Sequence, residues 1–545
     1  VLIVVFRTFV AASIPILLAL TALATAFVLL FILAGLTDIN TITPLLVSMI
    51  GLGVGIDYSL FIVTRFRQLL HEGLSPIDAA SEAGASAGRA VLFAGLTVAI
   101  SVTGLAFFGL DFVTKLGIGS ALGVLTTVAI ANSLLISVLA KLGHKVDRWK
   151  VPFLPRLDDS EEAREKTPIA RWGRFVTANA KVVFPVVLIL ILVLAGTSAL
   201  VRLGASDQGT QPTQQTARRA YDLLAEGFGP GFNGPIPIVV DVNGDQQAPA
   251  KIHDRVQGLP GVASVGEPQF NDEKSVAIVF VTPTSAPQDE ETGELVDRLR
   301  SDAVPVAVGG GDAAAYVSGQ TAAFKDIAER IMERLPIFLL YIIGVTFLVL
   351  AMAFRSIVIS LTAAITTIMS AFVGFGVLTL VVQEGHLLGL TGLDRTGPIE
   401  TFVPPIAFAI LFGLSMDYMV FLMSRIREEH VHGLQTREAV EHGIAAIGRV
   451  VVAAALIMGT VFAAFVLTPD RISKEFGLLL SVAILTDALI IRMTLVPAFL
   501  TLLGEKSWYI PGWLDRLLPN ITIESPHEGD APTRVEVERP AEGRA

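Results

Sequence analysis

Ten apolar segments of membrane-spanning length constrain the fold of this 545-residue chain more than any other feature. A helix needs about 20 apolar residues to cross a bilayer. The segments cover residues 9–33, 44–64, 90–109, 113–141, 181–201, 334–354, 357–382, 401–423, 450–468 and 475–502. Only 17% of the residues are charged, against about 25% in soluble proteins. The chain is therefore predicted to be a polytopic α-helical membrane protein.

Basic residues orient the predicted helices. Cytoplasmic loops carry an excess of Lys and Arg, and such residues recur on one side, around 65–67, 141–181, 425–427 and 506. This side is taken as cytoplasmic. The one long polar insertion then lies outside.

A short motif occurs twice in the apolar segments. Shifting the chain by 360 residues aligns Asp57-Tyr58 with Asp417-Tyr418 without a gap. The same shift aligns further pairs: Phe61 with Phe421, Arg65 with Arg425, Arg67 with Arg427, Gly73 with Gly433, Gly88 with Gly448 and Arg89 with Arg449. Self-similarity at a fixed offset indicates an internal repeat, here a parallel one.

The repeat also predicts what precedes the chain. Arg7 in Val-Phe-Arg-Thr corresponds to Arg355 in Ala-Phe-Arg-Ser, and the second half has a further helix and a soluble domain before this point. About 168 residues are then expected to be missing at the N-terminus. The intact protein is expected to have twelve helices and two outside domains.

The predicted domain organisation follows from these segments. It comprises a first transmembrane repeat of a remnant helix and four full helices (1–142), a cytoplasmic linker (143–180), a transmembrane helix (181–203), an extracytoplasmic domain (204–332), a second repeat of five helices (333–504) and a partly disordered cytoplasmic tail (505–545). The linker is predicted to be exposed or partly disordered. Residues 64–89 and 424–449 are predicted to form matched amphipathic helices along the inner membrane face.

The insertion reads as a folded α+β domain. A leading helix over 217–227 is followed by strands at 236–242, 262–267, 276–282 and 304–308, with helices at 248–257 and 290–301. The order strand, helix, strand, strand, helix, strand is that of a ferredoxin-like domain. Gly309-Gly310-Gly311 is interpreted as a turn, since no Gly-Lys-Ser/Thr follows.

The two Asp-Tyr pairs are the main candidate site. An ionisable residue near the middle of a membrane helix is costly and is by default a functional hypothesis. Neighbouring helix residues point about 100° apart, so Asp57 is poorly placed to bond Tyr58. Two helices related by pseudo-twofold symmetry can instead cross-pair, Asp57 with Tyr418 and Asp417 with Tyr58. A buried acid with a hydroxyl donor is suited to gain and lose protons.

Other polar or small residues surround this motif. Gly51, Gly53, Gly55 and Gly413 are expected to permit close helix packing near the two pairs. Asp487 and Arg492 lie in the last helix, where the first half has Thr127 and Asn132. Structural pairing of these two charges, or snorkelling of Arg492 toward the membrane surface, is favoured over a relay role.

Several function classes are excluded or disfavoured. The chain has no cysteine, so disulfides and Cys-ligated metals are excluded. No metal-ligand spacing, nucleophile motif or cofactor motif is found, so the protein is predicted not to be an enzyme and to need no metal or cofactor. The net charge of −10 gives no indication of nucleic-acid binding.

Taken together, the motifs resemble those of the MMPL family of the RND superfamily. The resemblance rests on the duplicated Gly-x-x-x-Asp-Tyr, the Val-Phe-Arg-Thr start, and residues 485–498 and 508–514, and it covers nearly the whole chain. It implies an RND-type fold and proton-driven export of lipids or other hydrophobic molecules across the bacterial inner membrane, with residues 204–332 as a porter domain through which substrate moves. It also implies that Asp57, Tyr58, Asp417 and Tyr418 are the proton relay.

Alternatives remain open at this stage. They are a multidrug efflux pump, a superfamily member that assists protein export, and a non-transporting scaffold or sterol-sensing-like receptor. Expected partners are protons, membrane lipids and a hydrophobic substrate, with homo-oligomerisation left open.

Overall fold

A computed structural model describes residues 1–151, 165–309 and 312–518, apart from the side chains of Asp417 and Leu517. Glycines 310 and 311 of the predicted turn and the tail beyond residue 518 lie outside the described residues.

Ten helices in the described part of the chain are long and apolar enough to cross a membrane. Labelled in chain order, they are α1 (Phe9–Ala34), α2 (Thr43–His71), α3 (Pro76–Phe108), α4 (Asp111–Asp147), α5 (Ala180–Leu200), α6 (Gln320–Phe354), α7 (Ile357–Gln383), α8 (Val403–Val431), α9 (Thr436–Leu467) and α10 (Arg471–Trp508). A short helix, Leu2–Phe6, precedes them. The polytopic helical architecture predicted from the apolar segments is confirmed.

Several spanning helices change type along their length. The π-helical turns are Gly84–Gly88 in α3, Ala131–Leu135 in α4, Thr379–Gln383 in α7 and Thr486–Leu495 in α10. Such turns are rare and often occur at functional sites. The longest of the four, ten residues, carries Asp487 and Arg492.

The prediction of amphipathic helices along the inner membrane face is wrong. Residues 64–71 are the last turns of α2 and residues 424–431 the last turns of α8, while α3 and α9 begin shortly afterwards. Phe66, Leu69 and Leu70 are buried. Their apolar face therefore packs into the protein and does not lie on lipid.

The linker was predicted to be exposed or partly disordered, but it contains a helix that packs against α9. Pro168–Ala178 is helical, and the Thr167 side chain caps its first turn by accepting a bond from the Ala170 amide. On its packed face, Thr177 donates a 2.5 Å bond to Glu441 of α9. Residues 152–164 lie outside the described residues.

The two sets of spanning helices share local geometry. Helices α2 and α8 each have 29 residues, and their bounds differ by the offset that aligns the duplicated motif. The glycines that follow them, Gly73 and Gly433, both have φ +98°, in the left-handed region that favours glycine.

The insertion contains most of the β-structure. Seven strands occur in the described residues: β1 (Leu203–Gly204), β2 (Ile236–Asp241), β3 (Val262–Val265), β4 (Gln269–Phe270), β5 (Val276–Pro283), β6 (Ala314–Val317) and β7 (Ile399–Glu400). The main sheet has the order β3-β5-β2-β6 with antiparallel neighbours, and β4 pairs with β5. Helices Thr216–Phe228, Ala248–Gln257 and Glu290–Arg298 accompany it. Its core includes Ile238, Val279, Ile252 and Leu295.

The last strand of this domain was predicted in the wrong place. Residues 304–308 are helical and continue Glu290–Arg298 through a π turn, and the strand is Ala314–Val317. The run Val-Pro-Val-Ala-Val has strand propensity. Tertiary packing overrides it, since the preceding helix continues and Val304 is buried against the domain core.

A two-stranded sheet joins the domain to the membrane helices. β1 follows α5, and β7 precedes α8; the two pair in parallel, with Leu203 opposite Ile399. The return connection is helix α6, 35 residues without interruption from the end of the domain into the membrane part.

Candidate functional site

One predicted cross-pair is present in the helix bundle. The Tyr418 hydroxyl of α8 donates a 2.8 Å hydrogen bond to Oδ2 of Asp57 in α2. Both side chains are almost fully buried, with 1% of Asp57 and 2% of Tyr418 exposed. The other carboxylate oxygen of Asp57, Oδ1, has no hydrogen-bond partner among the described residues.

The other cross-pair remains a prediction because the side chain of Asp417 is not described. Tyr58 is 1% exposed. Its ring lies against α3, where a Cβ built on Gly95 would be 3.3 Å from the ring. Asp417 itself follows Met416 in helix α8.

An aromatic stack lies one helical turn beyond the two aspartates. The rings of Phe61 and Phe421 are 4.3 Å apart at an interplanar angle of 17°. Phe61 also lies 6.4 Å from the Tyr418 ring. The stack holds α2 and α8 together next to the Asp57–Tyr418 bond.

The four predicted packing glycines differ in their surroundings. A Cβ on Gly413 would lie 2.8–3.0 Å from Val98 of α3, including its backbone, and one on Gly55 would lie 3.0 Å from Ala19 Cβ. A Cβ on Gly53 would lie 3.1 Å from the Phe462 ring. Gly51 meets nothing closer than 3.8 Å. Close backbone approach is therefore found at Gly413 and Gly55, and Gly51 makes no such approach.

Asp487 and Arg492 form a buried ion pair beside this site. Arg492 Nε donates to Asp487 Oδ2 at 2.7 Å, and the two side chains are 3% and 5% exposed. The π-helix explains the contact, because its turns connect residue i to residue i+5 and so place residues five apart on one face. The structural pairing predicted from the sequence is thus present.

Ser415 links this ion pair to the Asp-Tyr motif, and sequence reasoning missed it. Its hydroxyl contacts Asp487 Oδ2 at 3.0 Å, Arg492 Nη2 at 2.5 Å and Thr367 Oγ1 at 2.8 Å. The Arg492 guanidinium is also 5.9 Å from the Tyr418 ring centroid. A signal existed, since Ser415 occupies the place that Gly55 has in the first copy of the motif.

The linker helix supports the π-helix from the side. The indole Nε1 of Trp172 donates to the Met493 carbonyl at 3.2 Å and to the Thr494 hydroxyl at 3.3 Å. Nothing in the sequence pattern indicates this contact, because 321 residues separate Trp172 from Met493.

No three metal-ligating side chains come together among the described residues. This arrangement is suited to hold a proton. The buried Asp57 carboxylate has one hydroxyl donor and one oxygen with no partner among the described residues, and it lies in an apolar bundle.

Comparison with known proteins identifies relatives. The model of the MMPL family matches residues 1–185 and 238–519. Membrane protein YdfJ of Bacillus subtilis is 37% identical over 96% of this chain and 71% of its own length. The mycolic acid-containing lipids exporter MmpL11 of Mycolicibacterium smegmatis is 32% identical over 96% of this chain and 56% of its own length. MmpL11 of Mycobacterium tuberculosis, named a heme uptake protein, is 31% identical over 96% and 55%.

A solved structure shares the fold. SecDF, a translocon-associated membrane protein from Thermus thermophilus, superposes with a TM-score of 0.51 over 90% of this chain and 59% of that chain, at 16% identity. The chain spans little more than half the length of the mycobacterial relatives. With the family match over most of its residues and the identity to YdfJ, the chain belongs to the MMPL family.

Proposed function

We propose that the protein exports lipids or other hydrophobic molecules across the bacterial inner membrane, driven by the proton gradient. The observation that carries this proposal is the hydrogen bond from Tyr418 to Asp57 in the interior of the spanning helices. An ionisable residue in such a place marks ion pathways and proton relays. Asp57, Tyr58, Asp417 and Tyr418 form the proposed relay.

The proton site is assigned to a single atom of Asp57. Tyr418 occupies Oδ2, so Oδ1 is the oxygen that takes up the proton. Protonation removes a negative charge from a region with little solvent. The Tyr418 hydroxyl, which stabilises the charged carboxylate, then binds it less strongly, and the contact between α2 and α8 weakens.

The neighbouring ion pair has a positioning role in this proposal. Arg492 is held by Asp487 and Ser415, with its guanidinium close to the Tyr418 ring. The charge of Arg492 is balanced by Asp487, so the pair acts on the position of the Tyr418 ring. Protonation of the relay is therefore coupled to the arrangement of α10.

The soluble domain is the proposed porter domain, over residues 204–332. Its order of strands and helices and its antiparallel sheet order β3-β5-β2-β6 support a ferredoxin-like fold. The matching bounds of α2 and α8 support a parallel repeat of residues 1–142 and 333–504. Helix α6, roughly 50 Å long at 1.5 Å per residue, would carry movement of the bundle into this domain.

The substrate class is taken from the relatives. One MmpL11 is named an exporter of mycolic acid-containing lipids and another a heme uptake protein. Lipids and heme share a large hydrophobic surface. Export is preferred here because the Asp-Tyr site supplies a means of using the inward proton gradient.

The test is transport by the full-length protein in lipid vesicles with an imposed proton gradient. Asp57→Asn and Asp417→Asn are each expected to abolish gradient-dependent lipid transport at unchanged expression. Asp111→Asn is the matched control, because the Asp111 side chain is 80% exposed at the start of α4. Normal transport by both relay variants would reject the proposed relay, and no transport by the wild type would favour a scaffold or receptor. Extracted lipid profiles and growth under drugs separate lipid export from drug efflux.

A further inference from the structure

A second group of buried charges lies where the soluble domain joins the membrane helices. The junction cluster consists of Glu400 of β7 and Arg471, Lys474 and Glu475 of α10. Their exposed fractions are 4%, 2%, 6% and 0%. Charged residues are almost never buried to this degree without a partner. The four charged side chains must therefore be balanced by one another or by hydrogen bonds within the protein.

The cluster is tied to the first residues of the soluble domain. The Ser206 backbone amide donates to Glu400 Oε1 at 2.7 Å, and the Ser206 hydroxyl bonds the same atom. Next to it, the Thr401 amide donates to the Gly204 carbonyl at 2.9 Å. Glu400 thus holds the chain as it leaves β1 for the domain.

The guanidinium of the cluster bonds one of its two carboxylates. Arg471 Nε donates to Glu475 Oε1 at 3.0 Å, and its two terminal nitrogens reach the Arg395 and Pro398 carbonyls. Glu475 Oε2 accepts a 3.0 Å bond from the Glu400 amide. The backbone of one acid is therefore directly bonded to the carboxylate of the other.

The remaining cation does not compensate the second acid. Lys474 Nζ donates to the carbonyls of Thr391 and Gly392. The acid whose negative charge interacts with Lys474 is Asp394. Asp470, at the start of α10, is a further acid close to Glu400.

Burial raises the pKa of the Glu400 carboxyl, and the bonds from Ser206 and the charge of Arg471 lower it only in part. Two acids that share a site with one cation cannot both ionise easily.

We propose that Glu400 and Glu475 together hold one proton, as a second proton-binding site on the soluble-domain side of the membrane helices. Arg471 is bonded to Glu475 and its charge also acts on Glu400, so either acid can be ionised while the other carries the proton. The site lies in the same continuous helix as Asp487, roughly 18 Å away along its axis. It is separate from the Asp57 relay and lies where the soluble domain joins the membrane helices.

The position of this site gives it a role in transport, a part of the inference that rests on the proposed function. When the proton is lost, Glu400 and Glu475 both carry a negative charge beside Arg471. This happens at the point where β1 pairs with β7. The ionised Glu400 then accepts the two Ser206 bonds more strongly, while repulsion from Glu475 acts on the backbone of β7. The attachment of the soluble domain is therefore predicted to respond to the pH of its own compartment.

Infrared spectroscopy of the full-length protein in lipid vesicles tests the proton directly. The wild type is expected to show a carboxylic acid C=O band that disappears as the pH of the soluble-domain side is raised. Glu400→Gln and Glu475→Gln are each expected to remove this band, because the single remaining carboxylate is then ionised beside Arg471. Glu384→Gln, an exposed acid nearby, is the control and should leave the band unchanged. Spectra are also recorded with Asp57→Asn and Asp417→Asn, which remove the acids of the relay, and a band that survives both single Glu substitutions in that background overturns the proposal.

Two further variants keep the test decisive if a Gln variant folds poorly. Ser206→Ala keeps both acids but removes a hydroxyl donor to Glu400, so the midpoint of the band should move to higher pH. An unmoved midpoint places the proton elsewhere and overturns the proposal. Asp57→Asn should leave the band intact. The result is thereby independent of transport: normal transport by Asp57→Asn and Asp417→Asn would reject the proposed function and leave this site standing.

Discussion

The hydroxyl of Tyr418 donates a 2.8 Å hydrogen bond to Asp57, a residue 361 positions away in the chain. Asp57 belongs to the first copy of the duplicated motif and Tyr418 to the second. The bond therefore joins one copy of the motif to the other. A proton that arrives at Asp57 changes a contact between the two halves of the bundle.

Tyr418→Phe is expected to impair transport without preventing folding. The substitution removes the donor to a buried carboxylate, which costs about 1–3 kcal/mol, and it keeps the ring against Phe61 and Arg492. The pH profile of transport should change together with its rate. Tyr341→Phe is the matched control, since the Tyr341 hydroxyl bonds the Ile100 carbonyl away from the site. An unchanged pH profile for Tyr418→Phe would contradict a role for Tyr418 in proton exchange.

Asp487 and Arg492 are expected to show strong coupling in a double-mutant cycle. Removing either partner leaves an uncompensated buried charge, at a cost of about 3–5 kcal/mol. The first half provides a neutral replacement, Thr127 and Asn132. Asp487→Thr and Arg492→Asn should each lower the thermal stability of the purified protein in detergent, and the double variant should recover most of the loss. Additive losses would show that the two charges do not interact.

Gly413→Ala is expected to destabilise the bundle by about 1–3 kcal/mol. The added methyl group would lie 2.8 Å from a Val98 side-chain carbon and 2.9 Å from its Cα, so helices α3 and α8 must move apart. Gly344→Ala, in helix α6, meets no atom within 4 Å. This control should be neutral or stabilising by up to about 1 kcal/mol. Thermal unfolding of both variants measures the difference.

Trp172→Phe is expected to loosen the π-helix of α10. The phenyl ring keeps most of the apolar contact but cannot donate to the Met493 carbonyl, a loss of about 0.5–1.5 kcal/mol. Hydrogen exchange in residues 486–495 should become faster. Trp513→Phe, at a position that is 69% exposed, should leave that exchange unchanged. Equal hydrogen-exchange rates of residues 486–495 in both variants would show that the linker helix does not stabilise this segment.

The stability of the protein is expected to fall as the pH rises above about 4.3, the usual pKa of Glu. Burial raises the pKa of Glu400 in the folded state, so the folded protein holds a proton that the unfolded chain has lost. Stability from this group is complete below the unfolded pKa and is lost as pH rises through the folded one. Each unit of difference corresponds to about 1.4 kcal/mol. In thermal unfolding at a series of pH values, Glu400→Gln should have a flatter profile than the wild type over this window, and an identical slope would contradict the assignment.

Much of the architecture could be predicted from local sequence patterns. The ten spanning helices follow from the length of the apolar runs, and the elements of the soluble domain follow from periodicity. The exception is Val304–Val308, where a β-branched run became helical because it continues a packed helix. The partner of Asp57 was also predictable, because the duplicated motif and the direction of side chains on a helix leave Tyr418 as the donor.

The sequence by itself determined which residues enter the membrane, that the Asp-Tyr motif is duplicated, and that a polar domain interrupts the helices. The tertiary structure decided how the buried charges are matched. Ser415 joins Asp487 and Arg492, Trp172 supports their π-helix, and Glu400 meets Glu475 and Arg471 only because helices and loops distant in the chain pack side by side. Burial and hydrogen bonding depend on the rotation and depth of each helix, and a pattern of residue types does not contain that information.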